Sequence, residues 1–306
     1  MPSHPVRHHF VPQFLLKYFA EQGGQLYVHQ WVSGRAFRRN VKETGQRKYG
    51  HSVYRPGRDP DHSSMEAAMG DIEGQAASVV KELVQRRERA VPEHAREALA
   101  WLLALQWQRS RFLRHVVNQS VGVDDYDLDE EEVQSSMMGL ITQTVIWPWQ
   151  ARNDEDAHYK DQWNHLVSVL LSSDMHWACY RPRGGGLIVS DNPLCMSGVV
   201  GTPPPDIPTG FFDHGVGVGF SNFRRITVPL GSSLALIISR NPDEVSRLDA
   251  AAINQFTVFN SREFVAHPPQ WRQTHPKLAR ELPDLLERQQ LVAPAFLHDY
   301  QPGTSA

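Results

Sequence analysis

The sequence predicts an α+β protein: a mostly helical N-terminal two-thirds carrying a small β-hairpin, packed against a later antiparallel sheet. Three observations carry this. Between about residues 64 and 172, apolar residues recur at alternating spacings of three and four, the period of a helix face. From 175 to 238 they bunch instead into short runs flanked by Gly-rich turns, as strands do. Near the start, Gln25–Trp31 alternates ahead of a Val32-Ser33-Gly34 turn, and 35–41 can return as a second strand.

The chain has 306 residues, 41% of them hydrophobic and 21% charged, which suits a folded protein with a sizeable core. Lys plus Arg number 31 against 34 Asp plus Glu, a net charge of −3, so the overall charge names no partner. The two cysteines, Cys179 and Cys195, fit a reducing compartment. No run reaches the roughly 18 apolar residues of a membrane span, and no apolar secretory stretch opens the sequence. The expectation is a cytoplasmic protein without a membrane partner. One α+β domain is expected over residues 1–266: an N-terminal segment and basic hairpin (1–60), a helical part (61–172) and a β-rich part (173–266). A Pro-rich tail follows over 267–306, with one short helical pattern at 283–291.

The first segment sets two histidines, His8 and His9, directly before the apolar residues Phe10, Val11, Phe14, Leu15, Leu16 and Phe19. Chain ends fray unless packing ties them down. Anchoring this one carries the histidines inward, and His9 abuts the apolar run. His4, His51 and His62 read as solvated. Between Arg35 and Arg58 the basic residues Arg35, Arg38, Arg39, Lys42, Arg47, Lys48, Arg55 and Arg58 face only Glu43, with Phe37, Tyr49 and Tyr54 among them. Cations neutralise phosphates and aromatic rings stack on bases. The region reads either as a nucleic-acid or nucleotide surface or as a solvated hairpin and loop.

A helix from Ser63 or Ser64 has the apolar stripe Met65, Met69, Ile72, Ala76, Val79 and Leu83. Beside it runs a second stripe with Glu66 and Glu73 seven apart among small or apolar residues, so this pair should be half-buried. The next helix opens at Pro92 and runs to about Val117. Its inward stripe is Ala95, Leu99, Leu102, Gln106, Arg109, Leu113 and Val116. A buried guanidinium needs a carboxylate or a bound anion. Arg109 is therefore either half of a structural pair with Glu66 or Glu73, or a fork for a ligand's phosphate or carboxylate. Helices are further expected at 133–147, stopped by Pro148, and at 154–172, where His158 and His165 have no accompanying carboxylate pattern.

Strands are expected at 175–180 and 187–190 around the 183–186 Gly turn, and at 226–230 and 234–238 around Gly231-Ser232-Ser233. Ser190-Asp191-Asn192-Pro193 ends a strand, a common place for site residues. Asp191 either forms a local turn or enters the site, with 196–222 as a lid. A helix at 243–256 and short runs at 257–259 and 263–265 complete the pattern.

At His8-His9-Phe10-Val11-Pro12-Gln13-Phe14-Leu15, Glu66 with Glu73, Gln106 through Arg109 and Ser190-Asp191-Asn192-Pro193, the chain resembles a bacterial family, the domain of unknown function 4238 family. The resemblance implies no activity. It marks the same polar residues that the burial argument picks out.

Two functions are expected from these residues. In the first, His8, His9, Glu66, Glu73 and Asp191 supply the ligands of a divalent metal (zinc, manganese or iron) that activates water. Gln106, Arg109 and Asn192 hold an anionic substrate, and a phosphoester in a nucleic acid or nucleotide is hydrolysed. His9, Glu73, Arg109 and Asp191 carry the catalysis. A metal-free variant uses His9 as general base. In the second, the same residues form a structural network in a non-catalytic component that binds nucleic acid or protein through Arg35, Arg38, Arg39, Lys42, Arg47 and Lys48. A spent network is satisfied internally, whereas a catalytic one opens onto a pocket.

Overall fold

A computed structural model describes residues 7–31, 33–55, 57–110, 113, 130–153, 165–198, 223–245 and 248–297, without the side chains of 130, 132 and 288–297. It is an α+β fold with helices packed on antiparallel sheets.

The N-terminus is tied down twice. Strand β1 (Arg7–His9) pairs antiparallel with β4 (Gln46–Lys48), setting His8 opposite Arg47. The amides of Phe10 and Val11 then both donate to the Gly45 carbonyl, at 2.9 and 3.3 Å. Gly45 has φ +66, and a Cβ there would meet the Val11 Cβ at 3.0 Å, so only glycine suits both the backbone and the contact. Pro12 leads into the short helix α1 (Gln13–Lys17), and Val11, Leu15, Leu16 and Phe19 are buried in the main core.

The early hairpin, β2 (Gln25–Gln30) and β3 (Arg35–Asn40), is not a separate ornament. It forms half of a four-stranded sheet in the order β3-β2-β10-β6, where β10 (Phe264–His267) and β6 (Val189–Ser190) come from much later in the chain. A second four-stranded sheet runs β5-β9-β8-β7, from β5 (His176–Tyr180), β7 (Cys195–Ser197), β8 (Arg225–Gly231) and β9 (Leu234–Ser239). The hairpin expected at Gly231 is present. The pairing expected across residues 183–186 is not: β5 joins β9, while β6 joins β10 in the other sheet. Gly184, Gly185 and Gly186 all have positive φ, and a Cβ on Gly186 would meet His275 and Leu278 at 2.8 Å. These glycines let the C-terminal helices lie close; they do not close a hairpin.

Helix α2 (Ser64–Gln85) buries Met65, Met69, Ile72, Ala76, Val80 and Leu83 and packs on α3 (Glu93–Gln108). Its start is capped by Asp61, whose carboxylate accepts from the amides of Ser63 and Ser64, both at 3.0 Å. These bonds and that from the Ser64 hydroxyl, the largest cause, hold the Asp61 carboxyl far below its ordinary range. Helix α3 ends at Gln108, short of the expected Val117: Arg109 leaves helical geometry, and the Ser110 hydroxyl accepts from the Leu113 amide.

Pro148 does not stop its helix. Helix α4 (Glu130–Ile141) passes through a π-helical turn, Thr142–Ile146, into α5 (Trp147–Ala151). The Trp147 amide reaches back five residues to Thr142, and the hydroxyls of Thr142 and Thr144 bond the Met138 and Leu140 carbonyls. The widened turn accommodates a residue that has no N–H. Helix α6 (His165–Leu171) covers part of the expected 154–172 helix. Its earlier residues, His158 among them, lie outside the described residues, as do Val116, the acidic 121–129 segment and positions 199–222 of the expected lid.

Residues 257–259 are helical, not extended: α7 (Ala250–Asn260) follows a 3-10 turn at Pro242–Val245 and is capped by Asp249. The expected tail is structured as α8 (Trp271–Thr274) and α9 (Pro276–Leu297). Trp271 and Leu282 bury against Ile188, Val258 and Val265. Among the described residues no helix is long and apolar enough to cross a membrane.

Candidate functional site

The N-terminal histidines are inside, but both ring nitrogens of each are spent. His8 is fully buried. Its Nδ1 accepts from the His51 amide at 2.9 Å, which places the proton on Nε2, and that proton is donated to the His62 carbonyl at 2.9 Å. His9 Nδ1 accepts from the Gln13 side-chain amide at 3.3 Å, and Nε2 donates to the Lys42 carbonyl at 3.2 Å. Burial holds the His9 imidazole below its ordinary pKa.

Gln106 and Arg109, adjacent on one face at the end of α3, lock onto this segment. Gln106 donates to the Phe10 carbonyl at 2.9 Å. Its side-chain oxygen accepts from Nε and Nη2 of Arg109 at 3.1 and 2.9 Å. Arg109 Nη1 donates to Glu73 at 2.6 Å, so the buried guanidinium meets a half-buried carboxylate from α2. These three bonds use three of the five guanidinium N–H groups.

The decisive residue is one that sequence reasoning placed in solvent. His51 is 2% exposed. Its ring stacks on His8 with centroids 5.3 Å apart and planes within 5°. Its Nδ1 lies 3.2 Å from Oε2 of Glu66. A carboxylate there accepts the Nδ1 proton and leaves Nε2 with the lone pair. Burial pushes the His51 imidazole below its ordinary value, against the opposing pull of Glu66. For Glu66, burial works upward, but the His51 hydrogen bond, with the neighbouring imidazoles and Arg109, outweighs it and keeps the carboxyl below its usual range.

His51 and Arg109 share a cavity of about 40 Å³, walled also by Arg47, Gln134, Met137 and Met138, room for roughly three waters. Arg47 and Gln134 also wall a groove of about 450 Å³ lined by Lys48, Tyr49, Tyr54 and Glu131. The cavity thus has a cationic, aromatic forecourt.

Residues 7–270 match the model of a family described as a protein of unknown function, DUF4238. The chain belongs to this family. No curated protein and no solved structure matched. The family span takes in both sheets and every residue of the cavity.

The expected metal ligands do not fit a metal. His8 and His9 have no lone pair to give, and Asp191 lies elsewhere. Its carboxylate accepts from the backbone amides of Arg262, at 2.9 and 3.1 Å, and Phe264, at 3.1 Å, where β6 meets β10. That is the structural alternative for this residue, realised across the sheet and not within its own turn. Among the described residues no group of three or more His, Cys, Asp or Glu is placed to hold a metal ion. Asn192 stays with Asp191, its backbone tied to the Ser190 hydroxyl and its side-chain oxygen buried. The expected catalytic and substrate-binding set therefore divides: Glu73, Gln106 and Arg109 are together, His9 is close enough to feel their charges, and Asp191 and Asn192 are apart.

The basic run divides too. Arg35, Arg38 and Arg39 lie on β3, the edge strand of the first sheet, with Arg38 3.8 Å from Glu21. Lys42 is exposed between β3 and β4, and only Arg47 and Lys48 reach the groove.

Proposed function

We propose that this protein is a phosphoester hydrolase acting on a nucleic acid or nucleotide, with His51 as general base in the place expected for His9. The observation that carries it is the Glu66–His51 pair on the wall of a cavity shared with Arg109. A carboxylate that orients imidazole and leaves Nε2 basic is the arrangement general-base catalysis requires. Nε2 takes a proton from water, the hydroxide attacks phosphorus, and the bond to the leaving oxygen breaks. The imidazolium then returns its proton to that oxygen. The two remaining N–H groups of Arg109 meet the charge on the non-bridging oxygens. Glu73 and Gln106 hold Arg109 in place. Both cysteines are buried and free, which supports a reducing, cytoplasmic setting.

A second reading is favoured by one observation: His8, His9, Gln106 and Glu73 all spend their polar atoms inside the protein. On that reading the cluster pins the N-terminus and the protein only binds its partner. Hydrolysis of bis(p-nitrophenyl) phosphate, labelled single-stranded RNA and DNA, and nucleotides by chelator-treated protein separates the two. Turnover lost in His51→Ala with the melting temperature nearly kept supports the enzyme. Absence of turnover on every substrate sinks it in favour of the binding role.

A further inference from the structure

We infer that the groove beside β4 binds an unpaired nucleobase together with its adjoining phosphate. This rests on the proposed hydrolase reading for the phosphate's destination, but its own evidence is the groove.

At about 450 Å³ the groove has the volume of a small-molecule site. Its lining is of three kinds. Tyr49 and Tyr54 supply rings, Arg47 and Lys48 supply charge, and Glu131 offers an acceptor to base edges, while the Gln134 amide is spent on the Gly50 carbonyl at 2.6 Å. The combination suits a base and a phosphate better than either alone.

Tyr49 is the sharpest sign. It is the one non-glycine with positive φ among the described residues, at +56. A bulky side chain in the left-handed region is strained, and such strain concentrates at ligand sites. What holds it is aromatic packing. The Tyr49 ring stacks on His62 at 4.9 Å. The His62 ring bonds the Ser52 hydroxyl at 2.6 Å, and its carbonyl accepts from His8. The strained tyrosine is thereby coupled to the histidine layer that also carries His51. Lys48 Nζ lies 4.8 Å from the Tyr49 ring centroid. An incoming base takes that face, and the exposed lysine swings to the phosphate.

Arg47 and Gln134 wall both spaces. A base on the tyrosines therefore sets its phosphate between Arg47 and Arg109, next to His51. A base pair in a duplex offers no free face to a pocket this size. The same chemistry comes from a free nucleotide or from a single strand.

The test is fluorescence anisotropy with labelled twelve-residue oligo(U) and oligo(A), the corresponding RNA duplex, and free AMP and UMP as competitors. His51→Ala protein keeps the strand intact. The expected result is single-strand binding with the duplex at least tenfold weaker. Tyr49→Gly, which relieves the positive φ and so keeps the fold, and Tyr54→Leu each weaken binding about tenfold. Lys48→Gln lowers the salt slope by about 0.7. Competition by AMP or UMP at millimolar levels assigns a mononucleotide site; its absence with strand binding intact assigns a strand site. Either outcome supports the groove. Unchanged affinity in both tyrosine variants, equal duplex binding, or no binding of any probe overturns it, whether or not the protein cleaves. Binding with these dependences but no turnover in wild type overturns only the hydrolase.

Discussion

Glu66 holds the Nδ1 end of His51 at 3.2 Å, while the backbone amide of the same histidine is spent on Nδ1 of His8. The His51 ring is thus fixed in position by its neighbour and in tautomer by a carboxylate from α2. The pair makes one base beside two imidazoles, His8 and His9, that have no nitrogen to spare.

The pH dependence of turnover follows from that pair. His51 must be neutral to act, and burial holds its pKa below 6.5. The rate therefore rises with pH through a midpoint under 6.5 and levels off above it. Glu66→Gln removes the contribution that raises His51, so the acid limb moves to still lower pH. The plateau falls by roughly 10²-fold or more as orientation and charge support are lost. A pH–rate profile of wild type and variant checks this. An acid limb that stays put or moves upward contradicts the assignment.

Glu73 and Arg109 give a stability prediction. The Arg109 side chain is 2% exposed and its carboxylate partner 24% exposed. Glu73→Ala leaves the guanidinium buried with only Gln106, at an expected cost of about 3 kcal/mol. Replacing both, Arg109→Met with Glu73→Leu, recovers most of the loss because no charge then stays stranded. Urea unfolding of the two singles and the double measures the coupling. A double mutant as unstable as the sum of its singles would contradict the account.

The sequence was informative where one element decides the outcome. Glu66 and Glu73 fall on a half-apolar stripe of α2, and their half-burial follows from periodicity alone. Arg109 lies on the buried face of α3, which demands a partner, and Glu73 meets it. His51 gave no such signal. It sits among turns, and its burial depends on β1 pairing with β4 and on Glu66 arriving from α2. Ser190-Asp191-Asn192-Pro193 reads the same whether Asp191 reaches a site or caps a distant loop. The amides that claim it come from residues 262 and 264, about seventy positions on. Pro148 misled because a π turn is a cooperative feature of the whole segment and no single residue announces it.

Gly45→Ala is a test of how the N-terminus is held. Alanine at φ +66 costs about 1–2 kcal/mol in backbone strain alone. The added Cβ also presses on Val11 at 3.0 Å, so the segment from β1 into α1 must shift. The expected result is a loss of at least that size in urea unfolding, with faster proteolysis near residue 10. Wild-type protection of the N-terminus in this variant would mean that β1 pairing alone suffices.

Acid should loosen the C-terminal helices through a second histidine pair. His267 donates Nδ1–H to the Pro268 carbonyl at 2.8 Å, so its Nε2 accepts from His29 Nε2 at 3.2 Å. Tyr27, Trp271 and His275 stack along this pair, and Arg272 lies 5.5 Å from the Tyr27 ring. Burial, then the His267 imidazole and Arg272, bring His29 down to about 3; burial, with Arg272 adding to it against the opposing Pro268 hydrogen bond, brings His267 to about 4. Above pH 6.5 both rings are neutral folded or unfolded, and pH does not matter. Below it the unfolded chain takes up protons that the folded one refuses. Stability then falls by on the order of 1.4 kcal/mol per pH unit for each histidine. The fall continues until pH reaches the folded values, near 4 and 3. His29→Gln keeps a donor to His267 without titrating, so urea midpoints between pH 7 and 5 should drop less steeply in it than in wild type. Parallel slopes in the two proteins would show that His29 adds nothing to the acid sensitivity.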